Sequence, residues 1–98
     1  MKFEFADPSL RRLSSDRHFD GGLPPGVVKA YRKRLLQIQA ASDERVFYAL
    51  KSLHFEKLKG DRRGQHSMRL NDQWRLVLRL KGSGQTKTAE LLSIEDYH

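Results

Sequence analysis

The sequence predicts an α+β domain in which an N-terminal strand and helices pack on one face of a mostly antiparallel β-sheet. Three observations carry this. Apolar residues recur at helical spacing in the first half of the 98-residue chain, they alternate strictly in the second half, and loop signals separate the segments. One domain spanning residues 1–98 is the expected organisation, since the length leaves no room for a second core.

The elements follow in order. Lys2-Phe3-Glu4-Phe5 alternates, which predicts a short strand with Phe3 and Phe5 inward. Asp7-Pro8 has the form of an N-cap followed by proline at the first helical position, opening a helix through Leu10 and Leu13 to about Ser15. His18 to Pro25, rich in Gly and Pro, is a loop. From Pro25, Val28, Tyr31, Leu35 and Ile38 share one face of an amphipathic helix that runs to about Ala41. Ser42 is the expected cap of a short helix from Asp43 to Leu50. Beyond Leu53 the chain turns to strands, broken by Gly82-Ser83-Gly84, and the last runs from Thr86 to about Tyr97. Its apolar run at Leu91, Leu92 and Ile94 suits a strand covered on both sides.

The stretch from His54 to Arg79 has the most to say about function. Alternation puts His66, Met68, Leu70, Trp74, Leu76, Leu78 and Leu80 on one face, the core face. The other carries Gln65, Ser67, Arg69, Arg75, Val77 and Arg79, an expected cationic surface. Opposed residues in an antiparallel pair share a face, so Leu70 should pair with Trp74 around the loop Asn71-Asp72-Gln73. A two-residue loop would set Arg75 against Met68 and break the core. The favoured register sets Arg69 across from Arg75, a repulsive pair that suggests an anion between them. Leu58 to Gly64 is a tight glycine-flanked loop that gathers cations, without the spacing of a P-loop.

A formal charge of +7 points to phosphate polymers or an acidic partner. Lys29, Arg32, Lys33 and Arg34 form a second basic group, with no acidic residue between Asp20 and Asp43. The absence of cysteine excludes disulfides and thiolate metal sites. No apolar run approaches a membrane span and no signal-peptide core is present, so a soluble cytoplasmic protein without membrane contact is expected. The scattered histidines and the lack of a Gly-rich fingerprint predict neither metal nor cofactor. Metal-free RNA cleavage needs a base, an acid and cations around the phosphate, and this chain has candidates of each type. His98 and Tyr97 are able to move protons, and Arg75 and Lys59 to hold charge. Composition alone favours a mobile chain end for His98, and a surface or structural place for His18 and His66.

Leu58-Lys59-Gly60-Asp61-Arg62, then Asn71-Asp72-Gln73-Trp74-Arg75, then Asp96-Tyr97-His98, in this order and near these spacings, resemble HigB toxins of the RelE/ParE superfamily. These are the killer components of type II toxin–antitoxin modules. The match covers roughly the C-terminal half, while the N-terminal half agrees in its helix pattern. The resemblance implies the RelE-like fold and a ribosome-dependent mRNA endonuclease that cuts in the A site without metal. It also implies a HigA-like helix-turn-helix antitoxin, through which alone operator DNA would be bound. Carried over onto matching motifs, the roles fall on Arg75 after the tryptophan, on Lys59 in its loop and on the closing Tyr97-His98, with Asp96 orienting the histidine. Some relatives place a histidine three residues before the loop lysine, where this chain has Glu56. Glu56 as base, a strand shift that brings His54 in, and Lys57 with Lys59 all stay open. Lys57, Arg62, Arg63, Arg69 and Arg79 are the RNA-binding candidates. Two competing readings are a non-catalytic ParE-like inhibitor of a protein such as gyrase, which would lack an acid–base group, and a plain RNA-binding domain, which would bind without turnover.

Overall fold

Five strands and three helices follow the expected order in the computed structural model, which describes residues 1–97, Gln85 through its backbone alone. The strands are β1 (Lys2–Phe5), β2 (Glu56–Lys57), β3 (Gln65–Arg69), β4 (Trp74–Lys81) and β5 (Thr88–Asp96). The helices are α1 (Pro8–Ser15), α2 (Pro25–Ala40) and α3 (Arg45–Ala49). The sheet order is β1-β5-β4-β3-β2, antiparallel except where β1 lies parallel to β5. Among the described residues no helix is long and apolar enough to cross a membrane.

Local chemistry explains the helix ends. Asp7 Oδ1 accepts the Ser9 N–H at 2.8 Å while Pro8 opens α1, as expected. The anticipated cap at Ser42 is not the one used. Asp43 Oδ1 accepts the Arg45 N–H at 2.9 Å, so α3 starts at Arg45. The same carboxylate is gripped by the Arg45 guanidinium, which holds its pKa down at about 2. β5 likewise begins at Thr88, because Gly84–Thr86 forms a 3-10 turn in which the Thr86 N–H reaches Ser83 O at 3.1 Å.

The helices cover one face of the sheet. Leu10 and Leu13 of α1, Tyr31, Leu35 and Ile38 of α2 and Phe47 of α3 close on Met68, Leu76, Leu78 and Leu91, all buried. Each such side chain contributes roughly 1.5–3 kcal/mol of burial, and this is the force that orients the sheet. Tyr31 is wholly buried and its hydroxyl donates to Leu10 O at 2.8 Å, so burial raises its pKa. Arg32 donates to Leu13 O at 2.8 Å and to Asp16 O at 3.1 Å, holding carbonyls at the end of α1 where cations are favoured. Arg34 is likewise turned inward, its Nε donating to Arg69 O at 2.8 Å. Two of the four cations expected to make a second basic surface therefore serve the fold.

The hairpin register is the expected one. Leu70 N–H donates to Trp74 O at 2.9 Å, Met68 lies across from Leu76, and Arg69 faces Arg75. Met68, Leu70, Leu76 and Leu78 are buried, with His66, Trp74 and Leu80 half-buried on the same side. The opposite face departs from the expected cationic surface. Ser67 and Val77 are fully buried there, and β5 adds Glu90 and Glu95 opposite Arg79 and Arg75.

Candidate active site

His54 and Arg75 are brought together by a backbone kink. The 3-10 turn Lys51–Leu53 ends in the buried Leu53, and His54 then takes φ 45° and ψ 48°. It is the one non-glycine with positive φ among the described residues. Such a conformation costs about 1–3 kcal/mol and persists where its surroundings hold it. Here the holder is Arg75, whose Nη2 donates to His54 O and, at 3.4 Å, to Ser67 O. The same nitrogen lies 3.7 Å from Glu56 Oε1. Strand parity accounts for Glu56, which pairs with Ser67 and so shares the Arg75 face. The Arg75 side chain is 11% exposed, and its Nε is buried without a partner among the described residues.

Arg69 completes the other side of the histidine, with Nη1 3.3 Å from His54 Nε2. An arginine only donates, so this contact needs the lone pair on Nε2 and the imidazole proton on Nδ1. Arg69 Nη2 also pairs with Asp72 of the hairpin loop. The repulsion expected between Arg69 and Arg75 is thus met by the chain's own acceptors, Asp72, Glu56 and the His54 carbonyl.

Tyr97 reaches the site because of an irregularity in β5. Val77 pairs with Ser93 and Leu78 with Leu91, leaving Leu92 as an extra residue. A bulge of this kind shifts every later side chain to the other face. Ile94 and Asp96 therefore fall on the helix side opposite Leu76 and Trp74, while Glu95 falls across from Arg75. Tyr97, next in the alternation, places its ring 5.2 Å from Arg75 Cζ, a cation–π geometry. Gln73 clamps this end of the chain: its carbonyl accepts the Tyr97 N–H at 2.7 Å and its Nε2 donates to Asp96 Oδ2 at 2.9 Å. The predicted His98 lies outside the described residues.

The remaining candidates separate by location. Lys59 and Arg63 are exposed and engage in no ion pair among the described residues. Arg62 donates through Nη1 to Glu95 Oε1 at 2.6 Å and through Nε to Gln65 Oε1 at 3.2 Å. Its hydrogen bond holds the Glu95 carboxyl below the usual range and raises the arginine in turn. Arg79 lies at the far end of the face, 3.6 Å from Glu90. Lys57 pairs with His66 and so looks to the helix side, where it lines a cleft with Glu44, Tyr48 and His66. His66 stacks on Phe55, with ring centroids 4.9 Å apart, and desolvation pushes its pKa down, a structural role as expected. His18 is exposed. Among the described residues no group of three His, Asp or Glu side chains converges as metal ligands do.

The site thus gathers His54, Glu56, Arg69, Arg75 and Tyr97, with Lys59 on the neighbouring loop. Glu95, Gln73, Ser67 and Arg34 belong to its frame and were not anticipated. Gln73 stands in the hairpin loop and Arg34 in the second basic group, but nothing in the sequence marks their contacts with Asp96 and the Arg69 carbonyl, and the parity of Glu95 is hidden by the bulge.

A five-stranded sheet with helices on one side is also the fold of several solved toxins. The YoeB/ParE toxin of Agrobacterium tumefaciens superposes over 100% of both chains, with a TM-score of 0.64 at 20% identity. YafQ of E. coli strain BL21(DE3) matches 97% of this chain and 91% of its own, with a TM-score of 0.57 at 16% identity. The toxin–antitoxin complex RelBE2 of Mycobacterium tuberculosis matches 99% of this chain and 96% of its own, with a TM-score of 0.52 at 20% identity. No curated protein matches the chain in sequence. The model of the HigB family, RelE-like toxins of type II toxin–antitoxin systems, matches residues 3–98, and the chain belongs to that family.

Proposed function

We propose that this toxin is a ribosome-dependent endoribonuclease that inhibits translation by cutting mRNA in the A site without a metal ion. The observation that carries the reading is Arg75, a nearly buried guanidinium held between His54, Glu56 and Tyr97. Cleavage by the ribose 2′-hydroxyl needs a base for its proton, charge stabilisation at the crowded phosphate and an acid for the departing 5′-oxygen. Arg75 and Lys59 supply the positive charge, and the base is Glu56, 3.7 Å from Arg75, or His54, whose imidazole lies 3.3 Å from Arg69. Tyr97, beside Arg75, and His98 are the groups proposed to protonate the departing 5′-oxygen. Asp96, whose carboxylate accepts from Gln73 Nε2, is the residue proposed to orient the histidine. Arg62, Arg63, Arg69 and Arg79 steer the RNA backbone, whereas Lys57, expected among them, looks to the helix side of the sheet. A lysine that serves as the base here would be Lys59, since Lys57 looks to the other side of the sheet.

Membership of a type II toxin family implies an antitoxin partner. We infer a HigA-like helix-turn-helix protein, with operator DNA bound only through it, and action in the cytoplasm, where ribosomes are found. The mycobacterial neighbour is itself a toxin–antitoxin complex.

Primer extension on a defined mRNA in a reconstituted translation system, with and without ribosomes, tests the reading. Cuts that need ribosomes and vanish in His98→Ala are the expected result. Absence of cuts with folded parent protein would turn attention to a protein target such as gyrase.

A further inference from the structure

We propose that Glu95 is a positioning residue of this toxin, anchoring the loop that carries Lys59 over the sheet through a two-pronged ion pair with Arg62. The inference deepens the nuclease reading and rests on it.

The loop between β2 and β3 has few ties of its own. Leu58 N–H donates to Gln65 O at 2.9 Å, and within the loop Arg62 N–H donates to Lys59 O at 3.4 Å and Arg63 N–H to Gly60 O at 3.2 Å. Gly60 and Gly64 both take positive φ, 68° and 87°, so the segment turns sharply at each end. Its side-chain tie to the sheet is Arg62. Both terminal nitrogens donate to the two Glu95 oxygens, and Nε donates to Gln65 Oε1 at 3.2 Å. Gln65 is on β3 and Glu95 on β5, the two neighbours of β4, so the arginine crosses β4. Val77 on β4 and Ser67 on β3 are wholly buried on what would otherwise be the open face of the sheet.

Glu95 is built to stay an anion. Ser93 Oγ donates to its Oε2 at 2.5 Å, and the Arg62 bonds keep its pKa low, so it accepts hydrogen bonds and does not shuttle protons at neutral pH. Its sign is wrong for a surface that holds RNA, because it lies directly across from Arg75. Two roles then give opposite predictions. If Glu95 only diluted the positive field, removing its charge would strengthen RNA binding and leave cleavage equal or faster. If it anchors the loop, removing its charge frees Arg62 and, through the Arg62–Lys59 backbone bond, lets Lys59 wander from the reacting phosphate. Misplacement of about 1 Å is enough to cost up to about 10²-fold in rate.

The experiment is single-turnover cleavage of ribosome-bound mRNA by the parent, Glu95→Gln, Lys59→Ala and the double variant, with backbone amide exchange followed at positions 60–63. Glu95→Gln should lower the cleavage rate on the order of tenfold without weakening mRNA binding, and should speed exchange in the loop. In the Lys59→Ala background the same change should cost less than about twofold, since two residues acting through one group do not add. The exchanged pair, Arg62→Glu with Glu95→Arg, should recover more activity than either single change. A Glu95→Gln variant as fast as the parent with unchanged loop exchange overturns the anchor, as does an equal loss in both backgrounds. A parent that occupies ribosomes without cutting overturns the nuclease reading and the positioning role of Glu95 with it, and the exchange measurement then shows separately whether the loop was held.

Discussion

Arg75 is the residue on which the site depends, and its surroundings explain why a lysine would not serve. A guanidinium donates in a fixed fork and stacks on an aromatic face, whereas an ammonium is a strongly hydrated point charge. Arg75 lies over the Tyr97 ring and donates through Nη2 to the carbonyls of His54 and Ser67 while its planar group stays nearly buried. Arg75→Lys keeps the charge and loses the fork and the stack. On the proposed nuclease reading its cleavage rate should fall on the order of 10²-fold, the scale of losing one preorganised stabiliser, while the thermal midpoint moves only a few degrees. A variant that cleaves at the parental rate would leave Arg75 as a structural tie only. Arg75 was legible in the sequence because alternation sets its face and Trp74 marks its place. The arrival of His54 was not, because a left-handed conformation at a non-glycine residue leaves no mark in composition. Of the groups open for the base, Glu56 lies 3.7 Å from Arg75, the His54 imidazole lies 3.3 Å from Arg69, and Lys57 looks to the helix side while Lys59 stands on the neighbouring loop.

At the scale of elements, β5 shows where reading by alternation stops. β3 and β4 keep strict period two, so their faces, their register and the three-residue loop between them follow from the positions of Met68, Leu70, Trp74 and Leu76 alone. In β5, Leu91 and Ile94 both face the helices, a spacing of three that an unbroken strand does not allow. The extra residue, Leu92, reconciles them and in doing so delivers Glu95 and Tyr97 to the Arg75 side. Deleting Leu92 should therefore force Ser93, Glu95 and Tyr97 toward the helices, and the variant should lose both its cooperative thermal transition and any activity. Leu92→Ala keeps the residue count and should fold, with a loss below about 2 kcal/mol because the side chain is only half-buried. A deletion variant that melts and cleaves like the parent would show that the bulge does not set the parity of the site.

For the whole molecule, the charge of +7 proves to be unevenly available. Arg32 and Arg34 are turned onto backbone carbonyls, Arg62 onto Glu95 and Lys87 onto Glu44, so the excess that composition reveals is partly internal scaffolding. Composition reports how many cations there are, and packing decides which of them face solvent. This scaffolding makes stability depend on pH in two stages. The His66 pKa is lowered from 6.5 in the folded protein, foremost by burial against Phe55 and next by Lys57. A group lowered by folding binds more protons when unfolded, so the stability it contributes is complete above 6.5 and is lost as pH falls through its folded value. Glu95 and Glu44, lowered from 4.5 chiefly by bonds from Arg62 and Lys87, follow the same sign, and their contribution declines only below 4.5. Thermal midpoints measured from pH 8 downward should thus hold level to about pH 6.5, decline gently, and decline again below about pH 4.5. His66→Phe keeps a ring against Phe55 without a titrating nitrogen, so it should remove the first decline and leave the second. Glu95→Gln should weaken the second and leave the first. If His66→Phe loses stability between pH 6.5 and 5 as steeply as the parent, the protonation that unsettles this fold lies elsewhere than in the cleft beneath α3.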